Sequence, residues 1–259
     1  MTRSDPDEAS LQEQPLIAHL VELRTRILRS VVAVLIVFVP LAFLADQLFT
    51  YLATPLLAHL PEGTSMIATE VTTPFLTPFK LAFMCAFFLT VPVVLWQAWG
   101  FIAPGLYQHE RRFAYPLLVM SIFLFYAGVA FAYYVVMPLV FGFITQVVPD
   151  GVAMMTDIAR YLDFVLTLFF AFGVAFEIPV VIILMVWAGI VTPGKLTKQR
   201  PYVLIGAFAV GMLLTPPDIF SQTLLALPAY LLFEIGIILA RILVPGHREV
   251  DAQRDSGAP

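Results

Sequence analysis

Residues 164–189 read FVLTLFFAFGVAFEIPVVIILMVWAG, an apolar run whose single ionisable side chain is Glu177. A helix of that length, rising about 1.5 Å per residue, spans the roughly 30 Å hydrocarbon layer of a bilayer with length to spare. A lone strand could not satisfy its backbone in lipid, so the run is read as a membrane-crossing helix. Five more runs of the same kind lie at residues 27–44, 75–98, 113–137, 202–214 and 219–244. The 259-residue chain is 60% hydrophobic and 12% charged, well above the roughly 45–50% apolar content of soluble domains. The expectation is an all-α integral membrane protein with six transmembrane helices in one bundle. The run 202–214 gives only about 20 Å of helix, so it needs local bilayer thinning or shelter from its neighbours.

Six crossings return both termini to one side, and the basic residues say which. Of the 14 Lys and Arg, Arg3, Arg24, Arg26, Arg29, Arg111, Arg112, Lys195, Lys198, Arg200, Arg241, Arg248 and Arg254 fall on the terminal side. Arg160 alone lies in an opposite loop, and Lys80 sits within a run, near enough to its outer end to reach the headgroups. The positive-inside rule then places the N- and C-termini in the cytoplasm. Residues 1–15 form an acidic tail with the wrong charge for a cleaved signal peptide. Residues 16–244 form the transmembrane domain, and 245–259 a polar, flexible tail. The outer loops, 45–74 and 138–163, are expected to be structured caps punctuated by prolines. Leu16, Ile17, Leu20, Leu23 and Ile27 recur at helical spacing, which suits an interfacial helix leading into the first span.

Few side chains can carry chemistry. An ionised Glu177 would cost about 2.5–3.5 kcal/mol at mid-membrane, so it faces a water-filled cavity or a partner, or stays neutral and hydrogen-bonded in the bundle. Pro179 just beyond it should loosen the backbone. Glu110 stands beside Arg111 and Arg112 and is a candidate receptor for a cation, with those arginines as its ordinary local partners. Glu22 precedes Arg26 by four residues and could make a simple helix-surface pair of about 0.3–0.5 kcal/mol. The segment from Gly189 to Leu196 nearly matches a phosphate-binding loop, but Leu196 replaces the required hydroxyl and the segment follows a membrane helix, not a strand. Cys85 is a lone cysteine in an apolar run, and its ordinary role is that of a small buried hydrophobe. The four histidines all lie outside the runs, without metalloprotease spacing. No metal, cofactor or nucleic acid is expected. An ion-coupled transporter of a small solute, using Glu177 and Lys80, is the alternative function; an intramembrane enzyme lacks a catalytic constellation.

Four motifs occur in order: His19-Leu-Val-Glu-Leu-Arg24, Phe101-Ile-Ala-Pro-Gly-Leu-Tyr-Gln-His-Glu-Arg-Arg112, Phe172-Gly-Val-Ala-Phe-Glu-Ile-Pro179 and Leu214-Thr-Pro-Pro-Asp-Ile-Phe-Ser-Gln222. Together they resemble TatC, the receptor subunit of the twin-arginine protein translocase, over about residues 15–244. The resemblance implies a concave, mitt-shaped bundle, multi-pass in the bacterial cytoplasmic (inner) membrane. It implies a non-enzymatic receptor and assembly core that binds the Arg-Arg signal peptides of folded proteins. The single-span partners TatB and TatA, and other copies of the chain, would join it in the TatABC complex. By the same resemblance, Glu22 and Glu110 meet the two signal arginines, and Arg24, Phe101 and Arg112 shape that surface. Glu177 is the polar residue of the concave membrane face. Met212, Thr215 and Gln222 dock TatB or TatA, and Asp218 is the acidic residue of the outer turn, where it could equally cap the last helix.

Overall fold

The computed structural model describes residues 6–57, 67–102, 111–147, 157–214 and 219–244. Its helices run in the order α1 (Pro6–Ala42), α2 (Ala45–Leu57), α3 (Thr73–Ile102), α4 (Arg111–Phe131), α5 (Met137–Val147), α6 (Ile158–Ala175), α7 (Ile178–Trp187), α8 (Pro193–Lys198), α9 (Arg200–Leu214) and α10 (Ile219–Leu243). Five stretches are long and apolar enough to cross a membrane: His19–Ala42, Thr73–Phe101, Tyr115–Phe143, Ile158–Trp187 and Gln222–Leu243. The sixth, in α9, is the short apolar helix Arg200–Met212. All six expected runs are helical, and the fifth is short as its sequence requires.

Several boundaries differ from the sequence reading. The interfacial helix and the first span are one helix, α1, because neither glycine nor proline interrupts the chain between Pro15 and Pro40. The third run does not stop at 137. Pro138 lacks an N–H for the helical ladder, and the chain accommodates it with a π-helical turn, Ala132–Val136, in which the Met137 N–H reaches back to the Ala132 carbonyl. The helix then continues as α5, so the outer loop expected from 138 starts as helix. The fourth run begins earlier, at Ile158, which puts Arg160 and Asp163 on α6 and not in a loop. It also breaks at Phe176 and Glu177, where Pro179 has no N–H for Ala175. Finally, α3 persists to Ile102 and carries Phe101 in its last turn.

The lookalike of a phosphate loop is a helix stop followed by a helix start. Gly189 adopts φ +69°, the left-handed conformation that glycine favours, and the Ile190 and Gly189 N–H groups bond to the Met185 and Val186 carbonyls at 3.0 Å each. Thr192 then caps α8 by accepting from the Lys195 N–H at 3.3 Å, with Pro193 in the first turn.

The chain divides into two compact units, Met1–Pro55 with Pro78–Leu118, and Leu56–Thr77 with Val119–Pro259. In the first, α1 meets α3 through an edge-on contact of Phe38 with Phe83, ring centroids 5.7 Å apart. Only 6% of the apolar window of α1 is buried within the chain, against 44% for α6 and α7. The hydrophobicity of α1 therefore serves the lipid and not a core. In the second unit α10 is the hub, packed chiefly on α7 and α9. Since lipid tails are as apolar as leucine, such packing depends on close van der Waals fit. Gly236 supplies it: a Cβ there would stand 2.9 Å from the Pro179 Cα and 2.7 Å from the Ile182 Cδ1.

A polar clasp joins the α2–α3 connection to the start of α6. Asp157 caps α6 through the Arg160 N–H at 3.0 Å and accepts from the Thr69 hydroxyl at 2.6 Å and the Thr69 N–H at 3.1 Å. The Ile158 N–H bonds the Ile67 carbonyl beside it. These donors hold the Asp157 carboxyl at about 2, led by the Thr69 hydroxyl.

Gly236→Ala is expected to lower the thermal midpoint in detergent by an overpacking cost of about 1–3 kcal/mol. Because the folded carboxyl of Asp157 titrates below its ordinary 3.8, its stabilisation is complete above about pH 4 and is lost as pH falls toward 2. Melting curves of wild type and Asp157→Asn should therefore differ at pH 6 and converge at the acid end.

Candidate functional site

His19, Glu22 and Arg26 follow one another at intervals of three and four, so α1 presents them on one face. The last turn of α3 meets that face. The His19 ring stacks on Phe101 with centroids 4.1 Å apart and planes 20° apart. Arg26 donates to the Glu22 Oε1 from Nε at 3.0 Å and from Nη2 at 2.5 Å. The guanidinium lies over Gly100, where a Cβ would stand 3.0 Å from Cζ. Glu22 keeps 38% of its side chain exposed and Arg26 21%, so the pair is accessible on the carboxylate side. Arg24 is exposed on another face of α1.

Glu110 lies outside the described residues, as do Thr215 and Asp218. Arg112 belongs to the first turn of α4, but its side chain is outside the description as well. Met212 is exposed near the end of α9, and Gln222 is half-buried in the first turns of α10. The two helices approach closely there: a Cβ on Gly211 would meet the Gln222 carbonyl oxygen at 3.5 Å.

Glu177 stands at the break between α6 and α7 without capping α7. The buried hydroxyl of Ser121 lies within hydrogen-bonding reach of its carboxyl. Its Oε1 is buried and has no partner among the described residues. The surrounding wall is aromatic and tight. Phe131 contacts Phe172 and Phe176 at centroid distances of 5.4 and 5.6 Å, and Gly173 lies beneath the Phe125 ring.

Residues 18–228 match the sequence profile of the Sec-independent protein translocase protein TatC. The chain belongs to the TatC family. It is 61% identical to the Sec-independent protein translocase protein TatC of Azotobacter chroococcum over 94% of this chain and 95% of that protein. With the TatC of Escherichia coli K12 it shares 57% identity over 89% and 90% of the two chains. A crystal structure of the twin arginine translocase receptor TatC superposes with a TM-score of 0.78 at 38% identity, covering 86% of this chain and 98% of the other. A second, in DDM, gives 0.79. This TatC is a multi-pass inner-membrane component of the Sec-independent protein translocase, a reading that takes precedence over solute transport.

Two features escape the motif reading of this TatC. Arg26 was visible only as a helix partner of Glu22, and its seat on Gly100 needs two distant segments to meet. Glu234 is a second carboxylate in an apolar run, and the test applied to Glu177 would have found it. It is neutralised by neighbours, accepting from Arg200 Nη2 at 2.6 Å and from the Tyr230 hydroxyl at 3.0 Å. Nearby, Arg241 donates to the Thr197 hydroxyl at 2.9 Å. These bonds tie α10 to α8 and the start of α9.

A buried oxygen without a partner costs about 1–3 kcal/mol, so the Glu177 carboxyl weakens the fold of the isolated chain. Glu177→Leu is expected to raise the melting temperature of the isolated chain while reducing export of a twin-arginine cargo in cells.

Proposed function

We propose that this TatC captures the Arg-Arg region of a signal peptide on the Glu22 carboxylate together with Glu110, with Arg24, Phe101 and Arg112 shaping the surface. The observation that carries the reading is the accessible Glu22 carboxylate at the junction of α1 with the last turn of α3, beside the His19–Phe101 stack. A planar guanidinium binds a carboxylate through two parallel hydrogen bonds, and a lysine ammonium cannot reproduce that fork. Exposed ion pairs contribute about 0–1 kcal/mol each, so two carboxylates supply selectivity more than affinity. The apolar part of the signal adds the rest by burying its surface against the bundle or the lipid.

In this reading both termini face the cytoplasm, where the basic residues concentrate. The protein does no bond chemistry of its own; it receives cargo and assembles partners. Single-span subunits of the TatB and TatA kind dock along α9 and the start of α10, at Met212, Thr215 and Gln222. Glu177 offers its unpaired oxygen to a polar side chain from such a partner within the membrane, and Asp218 marks the outer turn. Further copies of the chain complete the complex.

Binding of labelled Arg-Arg and Lys-Lys signal peptides to the translocase in nanodiscs checks the receptor site. Glu22→Gln and Glu110→Gln are each expected to weaken the Arg-Arg peptide and to leave the weak Lys-Lys binding nearly unchanged. Equal affinity of both peptides for wild type and both variants would rule the site out.

A further inference from the structure

The Glu22 carboxylate is already half engaged. Arg26 sends two donors, Nε and Nη2, to the same oxygen, Oε1, at 3.0 and 2.5 Å. A carboxylate oxygen offers two lone pairs, so Oε1 is saturated, whereas Oε2 receives no hydrogen bond among the described residues. The guanidinium is seated and not merely tethered. It rests over Gly100, where a Cβ would stand 3.0 Å from Cζ and 3.3 Å from Nη2, and the side chain is only 21% exposed. The seat exists because position 100 carries no side chain.

A second guanidinium that binds Glu22 through a fork needs both oxygens. Oε1 becomes available only when Arg26 leaves it. We propose that Arg26, on its Gly100 seat, is a resident guanidinium that the signal arginine must displace from Glu22 before both carboxylate oxygens are open to it. The inference rests on the reading of Glu22 as a signal-arginine acceptor. An incoming arginine returns two parallel N–H···O bonds for the two it disrupts, so the exchange is nearly balanced. A lysine ammonium is a compact point charge that needs no fork and can sit on the open Oε2 with Arg26 in place. The resident arginine thus tempers the affinity of the arginine fork and leaves the single contact of a lysine nearly untouched.

Simple repulsion by the Arg26 charge would also disfavour cationic peptides, so the deciding variants keep that charge. Arg26→Lys removes the fork from the resident cation, and Gly100→Ala crowds the guanidinium off its seat while leaving Glu22 and Arg26 in place. Both are made in the full chain, assembled with its partner subunits in nanodiscs, and titrated with fluorescent Arg-Arg and Lys-Lys signal peptides. Each is expected to raise Arg-Arg affinity by up to about five-fold, the worth of releasing an exposed ion pair, with a smaller gain for Lys-Lys. In a Glu22→Gln background neither should alter the ratio. An arginine-to-lysine ratio that is unchanged or narrower in both variants, with Glu22→Gln still weakening Arg-Arg, overturns the displacement and leaves Arg26 a support for Glu22. Wild-type binding by Glu22→Gln would instead defeat the receptor reading beneath it. Should Gly100→Ala fail to fold, as read from its melting curve, Arg26→Lys decides alone.

Discussion

Hydrocarbon offers a backbone no hydrogen-bond partner, and every departure from a regular helix in this chain must answer to that constraint. Where Pro138 removes a donor, the chain widens into a π turn that keeps the Met137 N–H bonded to Ala132. Where Pro179 interrupts the fourth run, the Glu177 N–H finds the Val174 carbonyl at 3.0 Å and the Val181 N–H takes the Glu177 carbonyl at 2.9 Å. Polar side chains within the apolar helices obey the same rule. The Thr90 hydroxyl returns to the Ala86 carbonyl at 2.6 Å, and Glu234 is held by Arg200 and Tyr230. The exceptions among the described residues are buried atoms without a partner: Oε1 of Gln97 and of Glu177, the Tyr161 hydroxyl and the Arg200 Nε.

The same solvent removes the usual drive for helices to pack. Large apolar side chains are exposed along α1 and α9, as lipid contact allows, and the internal contacts rely on fit. Gly236 against Pro179, and Gly173 under Phe125, are places where the absence of a Cβ lets elements close. Gly100 does something different. Its missing side chain makes room for a charged group, Arg26, and so links backbone sterics to the electrostatics around Glu22.

The two candidate sites lie in different environments. At the junction of α1 with α3, solvent-exposed charge can exchange partners cheaply, which suits reversible recognition of a peptide. At the break between α6 and α7, a carboxyl is held where charge is costly, which suits a contact made only when a partner arrives. The short helix α9 lies beside α10 in that second unit, and its exposed apolar face carries Met212.

Much of this was legible in the linear chain. Composition and the six apolar runs were enough to establish a helical membrane protein, because the length of a crossing and the cost of an unsatisfied backbone leave no other solution. Four motifs identified the family, and the short fifth crossing followed from counting residues. What the chain could not reveal was contact between distant segments. Spacing alone made Arg26 a routine partner of Glu22; folding brought α3 beside it and turned the absent side chain of Gly100 into a seat. Spacing likewise placed Glu177 in a span, but only the packed arrangement of α4, α6 and α7 left its Oε1 buried without a partner among the described residues. Local periodicity records which face of a helix is apolar, whereas the occupancy of a carboxylate depends on side chains that meet only after the chain has folded.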